Sequence, residues 1–221
     1  MRKLIFLLGF GVLVVIAILV LRTPKRSANP NSVNSVSTTA TSSPLAVQNP
    51  EAAKAPAFVL PMERALERVT KKPFGIHVSP KNSPVSPERF TGIHTGVDFE
   101  TFENEQNVEV PVFAICNGPI VRKAQARGYG GMVVQSCFLE AEPVTVVYGH
   151  LQLESIIVQG STGISAGDKI GILGQGFTNE TDGERKHLHL GVHKGEKIDT
   201  RGYVATKKEL DAWLDVTKYL K

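Results

Sequence analysis

Residues 187–193 read His-Leu-His-Leu-Gly-Val-His, an alternation with a period of two. On a helix, His189 and His193 would lie one turn apart, but Gly191 and β-branched Val192 fall between them and weaken that turn. On a strand, His187, His189, Gly191 and His193 share one face, while Leu188, Leu190 and Val192 share the other. The strand accounts for the polar and the apolar residues together. It sets two imidazoles side by side on a sheet with an apolar back.

The region around this strand is of the same kind. From Leu60 onward the chain alternates glycine with short runs rich in Val and Ile: "VPVFAIC" before Asn117-Gly118, "PIVRKAQA" before "RGYGG", then "MVVQSCF", "VTVVYGHL", "SIIV" and "GDKIGILGQG". Such runs with turn residues between them predict a mainly β, antiparallel architecture. Two segments read as helical. "PMERALERV" starts at Pro61 with apolar residues at helical spacing. "TKKELDAWLDVTKYL" offers Thr206 as N-cap with Glu209 three residues on, and it puts Leu210, Trp213 and Leu214 on one face.

The N-terminal part is different. Leu4–Leu21 is 18 apolar or glycine residues without a charge, just long enough to cross a hydrocarbon core of about 30 Å. A secretory signal with a shorter h-region is the alternative, but no A-x-A cleavage pattern follows, so an uncleaved signal anchor over residues 1–22 is expected. Basic residues flank both ends and leave its orientation open. Residues 23–58, dominated by Ser, Thr, Asn, Ala and Pro, bury too little apolar area to offset ordering entropy and read as a flexible tether. A folded domain is expected over residues 59–221.

Charge excludes one class of partner. Arg2, Lys3, Arg22, Lys25 and Arg26 all border the apolar segment, where there is no acid; taking these five from 25 basic residues leaves 20 against 21 acidic ones. The basic pI is a property of the anchor flanks, and nucleic-acid binding, which needs a basic patch on the folded part, is not expected. The two cysteines, Cys116 and Cys137, form a disulfide if the domain is exported; two separate small core residues are the alternative.

The histidines suggest a metal site. A catalytic zinc needs three protein ligands and an open position. The helical H-E-x-x-H motif is excluded, since Leu190 stands where Glu is required. Upstream, "GIHTGVDFE" puts His94 and Asp98 four apart, on one face if extended. With His189 they make a His₂Asp set suited to Zn²⁺. His150, at the end of "VVYGHL", is placed for proton transfer beside it. Tyr148, two residues earlier, either lines a groove or packs in the sheet. His77 and His193 read as surface or packing residues.

"HTGVD", "YGHL" and "HLHL", in this order, resemble the M23 (LytM/lysostaphin-type) zinc metallopeptidases with their HxxxD…H…HxH pattern. The resemblance runs from about Lys72 to the C-terminus and includes "FGIHVSP", "NGPIVRKA" with "GYGGMVVQ", "ISAGDKIGILGQG" and "WLDVTKYL". The chain departs from the family with His77 in place of an Arg, Val216 in place of a Pro, and a long charged loop, "TNETDGERK", that would rim the groove.

The resemblance implies a LytM-type antiparallel sheet, duplicated hybrid motif-like, with short peripheral helices, to which the stretch Leu4–Leu21 adds an anchor helix in front. It implies one Zn²⁺ held by His94, Asp98 and His189, with His150 and His187 sharing the proton transfers. It implies an endopeptidase that cleaves the stem and bridge peptides of peptidoglycan, a substrate that fits a domain held at the cell membrane by the expected anchor and facing the cell wall or periplasm. Two other functions stay open: a non-catalytic LytM-like activator of wall hydrolases, which would have lost ligands, and a zinc peptidase acting on a surface protein.

Overall fold

A computed structural model describes residues 58–157 and 163–221. The expected anchor, and the tether up to residue 57, lie outside them; among the described residues no helix is long and apolar enough to cross a membrane. Phe58, expected as the last tether residue, is packed in the core and pairs with Leu220.

Among the described residues eleven strands carry the fold: β1 (His77–Val78), β2 (Gly92–His94), β3 (Gly96–Glu100), β4 (Pro111–Phe113), β5 (Ile120–Ala126), β6 (Gly130–Leu139), β7 (Glu142–Leu151), β8 (Lys169–Ile172), β9 (His187–Lys194), β10 (Tyr203–Val204) and β11 (Trp213–Leu214). All the pairings between them are antiparallel. The main sheet runs β11-β9-β7-β6-β5, with β3 sharing the β9 edge alongside β11. Two smaller sheets, β1-β2-β10 and β4-β8, flank it. The mainly β, antiparallel expectation is met.

Strand β9 is the centre of the design. Its partners fix which side chains share a face: Asp98 lies opposite His189, and Gly149 lies opposite His189 from the other side. Leu188 and Leu190 lie opposite Phe99 and Val97 and, with Val192, are fully buried in the main core with Val146, Ile170 and Leu173. Apolar burial on that back face, roughly 1.5–3 kcal/mol for each large side chain, holds the register. A slip by one residue would turn the histidines into the core.

Two expectations are corrected, and the open choice for Tyr148 falls to packing in the sheet. The "PMERALERV" segment contains only a 3-10 turn, Ala65–Arg68, entered through a left-handed Arg64. The C-terminal segment is helical only over Lys207–Leu210, with the expected Thr206–Glu209 capping box. Trp213 and Leu214 then extend as β11 along β9, because the indole buries against His193 in an edge contact with ring centroids 4.9 Å apart. Tyr148 lines no groove. It pairs opposite Leu190 on the core face, fully buried, and its hydroxyl donates to Gln135 Oε1 (2.8 Å) and accepts from the Ile115 N–H (2.9 Å). A buried phenol needs such partners. Cys116 and Cys137 are joined by a disulfide beside this pin, with Cα atoms 6.1 Å apart.

Candidate metal centre

Three ligand atoms converge at the junction of β2, β3 and β9. His94 Nε2 lies 3.0 Å from His189 Nδ1, and Asp98 Oδ1 lies 3.2 Å from each. All three side chains are buried. Thr95 separates β2 from β3 and is held at that junction by two hydrogen bonds, its N–H donating to Gly202 O and its hydroxyl to Arg201 O. Gly96, next in the chain, has to be glycine: a Cβ there would meet the His189 ring at 2.7 Å.

The donor set fits a zinc ion. A tetrahedral ion with ligands at about 2.0–2.1 Å keeps them roughly 3.3 Å apart, close to the observed spacing. The tautomers agree. His94 Nδ1 donates to Pro73 O (3.2 Å), which leaves the Nε2 lone pair for the ion. His189 presents Nδ1 to the site and Nε2 to the Tyr129 hydroxyl at 3.4 Å. A carbonyl or hydroxyl behind each imidazole is the usual support for a metal-binding histidine. Burial pushes the His189 pKa down to about 4, so its ring is neutral and able to ligate. Burial opposes the charge on Asp98, but His187 and His94, with hydrogen bonds from His187 and His189, hold its pKa well below the ordinary value.

His150 and His187 stand beside this set, ring centroids 4.2 Å apart. His187 reaches the site by strand parity. His150 does not: β7 alternation would send it toward the core. Instead Met132 pairs with Gly149 and Gly131 with Leu151, so His150 is the extra residue of a bulge, with φ +63°. The left-handed backbone re-aims the imidazole onto the site face. Nδ1 of His150 donates to Thr181 O (3.3 Å), and Nδ1 of His187 to Arg185 O (2.8 Å). In both rings Nε2 is then the exchangeable nitrogen. His187 Nε2 lies 3.2 Å from Asp98 Oδ2. Burial, then the nearby His187, puts the His150 pKa well below the usual imidazole value.

Arg185, read from the sequence only as part of a charged rim, is part of the site. Its Nη2 donates to Asp98 Oδ2 (2.9 Å) and its Nε to both carboxylate oxygens of Glu100 (3.0 and 2.9 Å), with a further Nη2 contact to Glu100 Oε1. Parity was the available signal, since residues 185, 187 and 189 share a face in an extended chain. Lys186 points the other way and donates to the carbonyls of Glu105 and Val108, tying down the loop after β3. Tyr129, which the sequence did not single out, stacks edge-on to His189 with centroids 5.2 Å apart. It needs Gly149, where a Cβ would fall 2.2 Å from Tyr129 Cδ1.

A cleft of about 270 Å³ opens onto these residues, with Asp98, His150, His187 and His189 in its wall and Phe90 and Tyr203 stacked on one side. The structure thus brings together His94, Asp98, His150, His187 and His189, and leaves Tyr148 and the disulfide in the core. His193 packs on Trp213 and His77 is exposed.

Among solved structures, the chain is similar to LytU (21% identity over 69% of this chain and 90% of that one, TM-score 0.44). It is similar to Csd3 of Helicobacter pylori (21%, 70% of this chain and 38% of that one, TM-score 0.41). It is also similar to a zinc-containing peptidase from Vibrio cholerae (22%, 66% and 41%, TM-score 0.40). The chain thus spans about two-fifths of the length of the last two. No curated protein matches the sequence. The sequence profile of Peptidase family M23 matches residues 92–200, the span that holds all five clustered side chains. Over residues 92–200 the chain belongs to peptidase family M23.

Proposed function

We propose that the chain is a zinc metalloendopeptidase that hydrolyses peptide cross-links of peptidoglycan. The observation that carries this is the convergence of His94 Nε2, Asp98 Oδ1 and His189 Nδ1 at 3.0–3.2 Å, with two more imidazoles in the same cleft wall. An activator that had lost catalysis would be expected to lack part of this set; here it is complete.

His94, Asp98 and His189 would hold the ion. When bound, zinc supplies Lewis acidity, polarising a carbonyl and bringing the pKa of water to about 7. The residues do the rest. His150 and His187 exchange protons at Nε2, taking one from the attacking water and returning one to the leaving amine. Their Nδ1 hydrogen bonds to Thr181 O and Arg185 O fix both tautomers, so neither ring must reorient between steps. A hydrogen on His187 Nε2 points to Asp98 Oδ2, 3.2 Å away. Arg185 keeps that oxygen turned from the other ligands, leaving Oδ1 to face them.

The same proposal puts the domain outside the cytoplasm, on the tether of residues 23–57 and the anchor of residues 1–22; its motive is the uncharged stretch Leu4–Leu21. External protease added to spheroplasts should remove the domain, and full protection would refute this orientation. Digestion of purified peptidoglycan by the zinc-loaded chain, with fragments identified by mass spectrometry, tests the activity. Peptide cross-links should open and chelation should stop it. Intact wall beside cleavage of a surface protein would favour the other substrate.

A further inference from the structure

The charged side chains of the cleft wall are, with one exception, already neutralised. Lys72 is paired with Glu88 (2.7 Å), Glu184 with Arg89 (2.8 Å), and Arg201 with Asp199 and Glu209 (2.8 and 2.9 Å). Arg185 is held by Asp98 and Glu100. Arg127 lines the same cleft and is exposed, and among the described residues it has neither an ion pair nor a side-chain hydrogen bond.

Its backbone is not free. Arg127 lies in the turn between β5 and β6, where the Gly128 N–H donates to Asp182 Oδ2 (2.8 Å) and the Tyr129 N–H to Ala126 O (3.0 Å). The Tyr129 carbonyl accepts from the His150 N–H (3.0 Å), and its hydroxyl lies 3.4 Å from His189 Nε2. Arg127 is therefore two residues, at most about 7 Å of chain, from a side chain in contact with the metal set. A fixed stem with an uncommitted guanidinium beside the reaction centre is built to bind an oxyanion, and a guanidinium matches a carboxylate with two parallel hydrogen bonds.

We infer that Arg127 binds a free carboxylate of the substrate close to the scissile bond, so that the chain prefers cross-links carrying such carboxylates over neutral or amidated ones. This rests on the peptidase reading and narrows its substrate class. With every other cation in the wall paired, the preference resides in this one residue.

The test uses the full zinc-loaded chain and two probes: a cross-linked stem-peptide dimer with its carboxylates free, and the same dimer amidated. Turnover and, by calorimetric titration, affinity are measured for both. The wild type should favour the free acid about tenfold, chiefly through KM, and less at high salt. Arg127→Gln should bring the ratio to about one and Arg127→Lys should keep part of it, with zinc content unchanged in both. Equal handling of the probes by the wild type, or a preference that survives Arg127→Gln, overturns the inference while leaving the peptidase reading intact. Selective binding of the free acid that Arg127→Gln abolishes, without cleavage of either probe, would do the reverse. Binding of neither probe would overturn both.

Discussion

Arg185 Nη2 donates to Asp98 Oδ2 at 2.9 Å, while the other oxygen of the same carboxylate faces His94 and His189 at 3.2 Å. One oxygen is thus kept for the ligand set by a cation that Glu100 holds from behind. Removing the guanidinium frees the carboxylate to rotate and leaves Glu100 without its main partner. Arg185→Met should weaken zinc binding about 10- to 100-fold, as loss of a supporting partner does at metal sites, with Arg185→Lys between it and the wild type. Competition against a chelator of known affinity measures this, and an unchanged affinity would remove Arg185 from the site.

His150 owes its place to a bulge with φ +63°, and it donates from Nδ1 to Thr181 O. It touches the proton-transfer machinery and belongs to no ligand pair. His150→Ala should retain one zinc and lose about 10²-fold or more in turnover. Loss of the metal in this variant would make it a ligand instead.

Gly149 leaves room for the Tyr129 ring. Gly149→Ala forces that ring away from His189 and should cost about 1–3 kcal/mol of stability, as overpacking of a tight site does. Denaturant unfolding of the metal-free protein reads the cost, and an unchanged midpoint would show that the ring can move freely.

The pH dependence of the metal-free domain follows from buried neutral histidines. Burial lowers the pKa values of His150, His189 and His193. The unfolded chain therefore binds more protons below about pH 6.5. Stability is complete above that pH and is lost as pH falls toward the lower folded values. Asp98, whose folded pKa is depressed, adds stability that is present above its unfolded value near 3.9 and is lost further into acid. The urea midpoint should be level from pH 8 to 7 and decline steadily toward pH 5. A midpoint that rises on acidification would contradict the burial account.

The disulfide closes a separation of 21 residues. In the chain-entropy view that is worth about 3 kcal/mol. The double variant Cys116→Ser, Cys137→Ser should lower stability by an amount of that order while zinc content stays the same. Quantitative thiol labelling of the denatured, unreduced wild type would show that no such bond exists in the protein.

The parts of the site legible in the sequence are those that parity or short spacing controls. The alternation over residues 187–193 gave the strand, its apolar back and the shared face of His187 and His189, because one buried face fixes the register. Arg185 was legible by the same parity but was masked by the charged loop that precedes it. Tyr148 was not legible: its face is known only once it is paired opposite Leu190, a relation between distant segments. His150 reached the site against parity, through an extra residue in the ladder that no local signal marks. At the C-terminus, Trp213 fitted a helical face, but the edge of β9 offered it a larger contact, and tertiary packing overrode the local pattern.

The central claim is that the two histidines two apart on β9 do different work: His189 ligates and His187 moves protons. Metal analysis of the full chain, paired with turnover on purified peptidoglycan, tests it most directly. The wild type should carry about one zinc, His189→Ala none and no activity, and His187→Ala about one with turnover reduced by about 10²-fold or more. His193→Ala, behind Trp213, should keep both metal and activity. A His187→Ala protein that loses zinc while His189→Ala retains it would contradict the assignment.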